Sequence, residues 1–418
     1  MLPSKLLKFA SSTLVARSAV AIPIAMVLAY SLPTSAYSQT PPPIASIAFS
    51  NDVEAALVRA LETLREGGIR AALREMDIVL EKNPNFQLGH LIKGDLLMAK
   101  SGAPLAFTGT TAQPELVASL QQEARARLTR YFDGPPIGYL PTALIQLAPE
   151  QRFVLLMDSD KSRLYVFKNI DGAPLLVTDF YISSGKKGVE KEREGDQKTP
   201  IGVYHITSAL PKEKLSDFYG TGAFPLNFPN EWDKRLGKTG SGIWIHGTPS
   251  TTYSRPPRAS DGCVVLTNDD FAAISKFVDP SITPIVIASK LEWKSPEQWI
   301  DAKSTFTDAL NKWQSDWEST NVDSYLANYS PQFEVDGKGF QDWALRKRRV
   351  GAGKNFIKVD ISNLSVLEYP LPSSAPPLMM VTFDQNYQSN NVSSQMKKRQ
   401  YWQLENGQWK IIYEGGAG

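Results

Sequence analysis

The chain of 418 residues holds one cysteine, Cys263, and one of its three histidines, His246, lies a short way upstream. A thiol is a nucleophile as its thiolate, and a neighbouring imidazole can draw off the proton and stay beside it as a cation. The two residues are too far apart to share a turn of helix, so the fold must bring them together. Ile243-Trp-Ile-His246-Gly-Thr reads as a short strand, and Ala259-Ser-Asp-Gly-Cys263-Val-Val-Leu266 as a polar turn followed by an apolar anchor. Ser260 and Gly262 are small enough for backbone amides to approach a reacting carbonyl oxygen. This set suits acyl transfer, with Cys263 as nucleophile, His246 as general base and then acid, Ser260 shaping the turn and the backbone amides around Gly262 and Cys263 binding the oxyanion. A lone cysteine is more often a small buried hydrophobe, but Ser-Asp-Gly is a poor place for an inert core residue.

A second informative stretch is Gly195-Asp-Gln-Lys-Thr199-Pro200-Ile-Gly202-Val-Tyr204. Together with His246-Gly247-Thr248 and Ser260-Asp261-Gly262-Cys263 it resembles the L,D-transpeptidases with a YkuD catalytic domain, enzymes that remodel bacterial peptidoglycan. The resemblance covers residues 151–289 and implies a YkuD-like β-sandwich in which a backbone carbonyl orients the histidine. It implies that Gly247, Thr248 and Asp261 lie in the substrate-binding region. The implied substrate is a peptidoglycan stem tetrapeptide, cut between the L-centre of its third residue and the terminal D-alanine. Many members have His before the Gly-Cys and Arg or Asn two residues after the Cys, where this chain has Asp261 and Val265. The acyl-enzyme can pass to an amine on another stem, to a protein or to water. A hydrolytic relative, whether carboxypeptidase or amidase, therefore shares every catalytic residue, and a non-catalytic envelope scaffold is a third reading. Lys186, Lys187, Arg255 and Arg258 lie in loops that could meet stem carboxylates, though loop cations are first read as surface residues.

No cofactor is implied. A zinc site needs three or four ligands, and one Cys with three scattered His does not supply them, so no metal is expected. The formal net charge of +2 gives no electrostatic argument for nucleic acid or a membrane surface. Lys5, Lys8 and Arg17 make a basic start, Ala19 to Leu32 is an uncharged apolar run, and small residues follow from Thr34 to Ser38. The run is shorter than the roughly 20 residues that span a bilayer, so 1–38 reads as a signal peptide directing the protein to the periplasm. No cysteine lies near the cleavage site, so a lipid-modified N-terminus is not expected.

The elements that must position the site follow from periodicity. Residues 50–130 read as a small helical, tetratricopeptide-like cap, with apolar faces at Leu57 to Leu64 and Ala72 to Leu80, a break at Gly67-Gly68, and a third helix from Leu88. From Arg152 the period becomes strand-like, with a hairpin over Phe153 to Met157 and Leu164 to Phe167. His90 on a helix and His205 on a strand read as structural. Thr267 caps a short helix, Pro284 to Ala288 closes the domain as a strand, and Leu291 to Ile300 reads as a linker. Residues 301–414 read as a separate α+β module resembling an NTF2-like cone. A helix from Ala302 to Ser319 carries Phe306, Leu310, Trp313 and Trp317, and four strands run from Ile357 to Tyr413. The basic run Arg346-Lys-Arg-Arg349 reads as a solvated face. Both flanking modules are candidate docking points for envelope proteins, and a chain ending near Ser289 is expected to keep its catalytic thiol competent.

Overall fold

The computed structural model describes residues 52–102 and 114–417; the expected signal segment lies outside them. Three helices, α1 (Asp52–Arg65), α2 (Ile69–Lys82) and α3 (Gln87–Ser101), stand where the apolar spacing placed them. Gly67 breaks the first two with φ +84°, and a Cβ on Gly68 would meet Thr63 at 2.8 Å. A fourth helix, α4 (Pro114–Phe132), falls within the region expected to be helical, although its bounds were not placed by spacing. Its inner face carries Leu120 and Leu128 beside the buried charges Glu123 and Arg127, which interrupt the apolar stripe and hide the helix from periodicity.

The central domain is two sheets around one core. Strands β1 (Phe153–Asp158), β2 (Arg163–Ile170), β3 (Ala173–Tyr181), β4 (Gly202–His205) and, later, Pro284–Ala288 form a five-stranded sheet, with Pro284–Ala288 parallel to β1 and antiparallel to β4. The second sheet contains β5 (Leu210–Pro211), β6 (Gly222–Pro225), β7 (Trp244–His246) and β8 (Val264–Val265), in the order β8-β7-β6-β5. Leu155, Val166, Phe180 and Tyr204 from the first sheet meet Phe224, Ile245 and Val264 from the second. Helix α5 (Asn268–Ile274), capped by the Thr267 hydroxyl accepting from the Asp270 amide at 3.1 Å, closes the core with Phe271 and Ile274.

The C-terminal part is an α+β cone, as expected, but two boundaries differ. The first helix, α6, spans Pro296–Glu318 and so includes residues expected to be linker. Pro296 occupies its first turn, and Ser295 and Gln298 form a reciprocal capping box. The second difference is the origin of one strand. Leu144–Gln146, preceding the catalytic sheets in sequence, pairs with Ile357–Glu368 and extends the four-stranded cone sheet to five. Nor is the module separate. Leu144, Leu156, Tyr165, Phe167, Trp232 and Val286 share one continuous core with Leu367, Tyr369, Leu378, Met380, Tyr401 and Ile412.

Candidate active site

Strands β7 and β8 run parallel, with Ile245 opposite Val264 and His246 opposite Val265. Ile243, Ile245, Val264 and Leu266 turn into the core. Alternation therefore puts Trp244, His246, Cys263 and Val265 on the other face, with Cys263 diagonal to His246 across the strand pair. The fold thus brings the expected nucleophile and base onto one surface.

His246 is 1% exposed, walled by the rings of Tyr219 and Phe218 at 5.1 and 5.8 Å. Its Nδ1 faces the carbonyl oxygen of Gly247 at 2.6 Å. With Nδ1 as donor to that carbonyl, Nε2 is left as the basic nitrogen. Burial pushes the imidazole down to about 4, against the raising effect of the Gly247 carbonyl and with a smaller lowering from Arg255. Burial likewise pushes the Cys263 thiol up, opposed by the Trp244 amide and the charges of Arg255 and Lys191, while Asp261 adds to the rise. The thiol donates to the Gly242 carbonyl at 3.5 Å. The resting pair is therefore neutral, not the thiolate and cation expected from residue types, because both groups are desolvated.

The Ser-Asp-Gly-Cys turn is braced from three sides. Ser260 Oγ donates to the Cys263 carbonyl at 2.6 Å and accepts from the Gly262 amide at 3.1 Å. Thr199 Oγ1 donates to the Gly262 carbonyl at 2.9 Å and accepts from the Gly185 amide at 3.0 Å. Gly262 has φ +129°, and a Cβ there would meet the Lys198 carbonyl oxygen at 2.8 Å. Of the two amides expected to bind the oxyanion, that of Gly262 is already spent on Ser260. The Cys263 amide has no acceptor among the described residues, which makes it the oxyanion donor this turn offers.

The substrate-region residues part ways. Thr248 is buried and its hydroxyl donates to the Tyr253 carbonyl at 3.2 Å, so its side chain holds a loop instead of facing substrate. Gly247 is tight against Asn268, whose Oδ1 a Cβ would meet at 2.2 Å. Asp261 is exposed and accepts from Lys186 Nζ and Gln197 Nε2, each at 3.0 Å. His90 is exposed and bonded to the Pro84 carbonyl, and His205 lies by a cleft between Glu231 and Arg399, both away from this face.

Sequence reasoning missed one contributor and ranked another too low. Asp196 organises the 189–199 loop, accepting from Lys191 Nζ at 2.7 Å and from the amides of Glu192, Arg193 and Lys198. Against desolvation, these donors hold its carboxyl well below the usual range. Arg255, set aside as a surface residue, is half-buried with its guanidinium over the Phe218 ring at 5.0 Å. The following Pro256-Pro257, which makes this loop stiff, was the available signal.

Residues 152–287 match the family model of the L,D-transpeptidase catalytic domain, YkuD. The chain carries a YkuD-family catalytic domain. Residues 305–415 match the Cds6 C-terminal NTF2-like domain. Among solved structures, the chain is similar to Bd1075 of Bdellovibrio bacteriovorus, with 27% identity and a TM-score of 0.58 over 67% of this chain and 99% of that one. It is also similar to the helical cell shape determining protein Pgp2 of Campylobacter jejuni, with 25% identity and a TM-score of 0.56 over 65% of this chain and 95% of that one. No curated protein matches by sequence. The YkuD match gives residues 152–287 an L,D-transpeptidase-type catalytic fold.

Proposed function

We propose that the protein is an exported cysteine acyltransferase that attacks the L,D bond of peptidoglycan stem tetrapeptides, acting in the periplasm. The observation that carries this reading is the placement of Cys263 diagonal to His246, with Nδ1 of the imidazole engaged by Gly247. In the first step the Cys263 sulfur attacks the carbonyl carbon as its proton passes to His246 Nε2. The Cys263 amide receives the developing oxyanion. Collapse of the tetrahedral adduct breaks the C–N bond, His246 returns the proton to the departing D-alanine amine, and a thioester remains. An acceptor amine, or water, then gives up a proton to His246 and attacks the thioester, restoring the thiol.

Because the resting thiol is protonated, proton transfer accompanies attack instead of preceding it. Similarity to a protein titled as determining helical cell shape supports a role in wall geometry, and the N-terminal apolar run supports export. Incubating purified protein with tetrapeptide muropeptides and resolving products by mass spectrometry tests the reading. Cross-linked dimers show transfer to an amine and tripeptide monomers show transfer to water. Recovery of unaltered tetrapeptide, without a Cys263 thioester, refutes both.

A further inference from the structure

Arg255 stands at the mouth of this site without a direct ion pair; the Asp261 carboxylate acts on it, but that carboxylate is already bonded to Lys186 and Gln197. It is half-buried, its guanidinium lies over Phe218, and no hydrogen bond or ion pair from that side chain is formed among the described residues. Phe218 packs in turn against His246, so guanidinium, ring and imidazole form a file leading to the catalytic base. Its charge is felt at both Cys263 and His246. An arginine stays charged at any ordinary pH, and partly desolvating it without a partner is costly unless an anion completes the arrangement.

The backbone carrying Arg255 is held by the helical domain. Tyr253 sets its ring edge-on to Phe86 at 4.8 Å, within the core of the first three helices. The Ser254 hydroxyl donates to Glu123 at 2.7 Å, and Glu123 is itself buried and paired with Arg127. Arg127 stacks over the Tyr181 ring at 4.0 Å, and the Tyr181 hydroxyl donates to the Arg255 carbonyl at 2.9 Å. Two direct contacts from the helical domain, and a third relayed through Tyr181 of β3, thus converge on residues 253–255.

We propose that Arg255 recognises a free carboxylate of the substrate peptide and that the helical domain is the device holding Arg255 over the active site. This rests on the acyl-transfer reading for its substrate, a stem peptide. Such a peptide offers the terminal carboxylate of the leaving residue and any free side-chain carboxylate on the acyl side of the cut. Arg255 is the specificity-determining residue, and Ser254 and Glu123 are positioning residues.

The first test is the ratio of Cys263 alkylation rates by iodoacetate and iodoacetamide at one pH and low salt. The thiolate fraction cancels in this ratio, leaving the preference for an anionic reagent. Arg255→Gln should lower it several-fold, and Ser254→Ala should lower it in the same direction by less. A ratio unchanged in Arg255→Gln overturns the assignment, and one unchanged in Ser254→Ala overturns the positioning role. Alkylation needs no turnover, so a chain that keeps the ratio yet leaves muropeptides untouched refutes acyl transfer instead. The second test compares tetrapeptides amidated at one carboxylate or the other. Amidating the recognised group should lower kcat/KM about tenfold in the natural protein and little in Arg255→Gln, the effect of one charge-assisted hydrogen-bonded pair. Equal losses in both proteins overturn the proposal.

Discussion

Gly247 presents its carbonyl oxygen to Nδ1 of the preceding His246 at 2.6 Å, so the base is oriented by backbone and not by a carboxylate. A carboxylate partner would raise the imidazole's pKa. Here burial dominates and lowers it to about 4, while the thiol is raised. We expect kcat/KM to have its acid limb near pH 4 and to stay level through neutrality. Iodoacetamide should report no thiolate at pH 7. An acid limb near 6.5, or fast alkylation at pH 6, would establish a resting ion pair. The same shift affects folding. Burial depresses His246 and His205 both to about 4 from the ordinary imidazole value of 6.5, so each contributes stability that is present above pH 6.5 and lost as pH falls through 4. Denaturant midpoints should therefore decline across that window.

Replacing Cys263 separates a functional thiol from a packing one. The residue is half-buried on the face opposite the core, and its sulfur makes one long hydrogen bond. Cys263→Ala should abolish thioester formation and change unfolding free energy by no more than about 1 kcal/mol. A loss of several kcal/mol with activity retained would assign the thiol to packing.

Glu54 joins two domains through buried charge. Its carboxylate meets Arg127 of α4 at 2.8 Å and Arg163 of β2 at 2.9 Å, with all three side chains nearly inaccessible. Removing the acid would leave two guanidinium groups buried with one carboxylate each, Glu123 for Arg127 and Asp179 for Arg163, and without the acid that bridges them. Glu54→Ala should cost about 3–5 kcal/mol, the usual range for breaking a buried pair from one side. Urea unfolding checks this, and a change below 1 kcal/mol would mean that water reaches the pair.

These examples show where the sequence was legible. The hairpin from Phe153, the strand Pro284–Ala288 and the Thr267 cap were readable because each rests on local periodicity or capping chemistry. His246 and Cys263 were readable because their residue types are rare and chemically apt. The bounds of helix α4 were not, since its buried face includes Glu123 and Arg127, which have further partners on other elements. The same limit left Arg255 ranked as a surface cation, because burial of a charged side chain depends on neighbours distant in sequence. Leu144–Gln146 was hidden too, as a three-residue strand has no period and its partner is more than two hundred residues away.

Lys347 shows the same limit within the cone. The run Arg346 to Arg349 was expected to be wholly solvated, yet Lys347 lies 4.3 Å from the Trp343 ring centroid and 5.2 and 5.5 Å from those of Tyr325 and Trp317. Burial, joined by the charges of Lys398 and Arg346, lowers its ammonium to about 8 although Glu414 opposes the shift. Carbon-labelled reductive methylation should show one lysine titrating near 8, and Lys347→Met should remove that resonance. If every lysine titrates near 10.5, the aromatic surroundings do not desolvate it.

Cutting the chain after Ser289 tests whether the C-terminal cone is an appendage. Sequence periodicity suggested a separable module, but the cone contributes Leu367, Tyr369, Leu378, Met380 and Tyr401 to a core that also contains Leu156, Phe167 and Val286 of the catalytic sheet. Strand Leu144–Gln146 would also lose its hydrogen-bonded partner. Each large apolar side chain uncovered costs roughly 1.5–3 kcal/mol, and several are uncovered together. The sum is comparable to the whole stability of an ordinary domain. The shortened chain should therefore aggregate or bind a hydrophobic dye strongly, and its thiol should lose the neutral pH behaviour set by burial. A monomeric, cooperatively unfolding product with unchanged alkylation kinetics would show that the shared core is not needed to form the site.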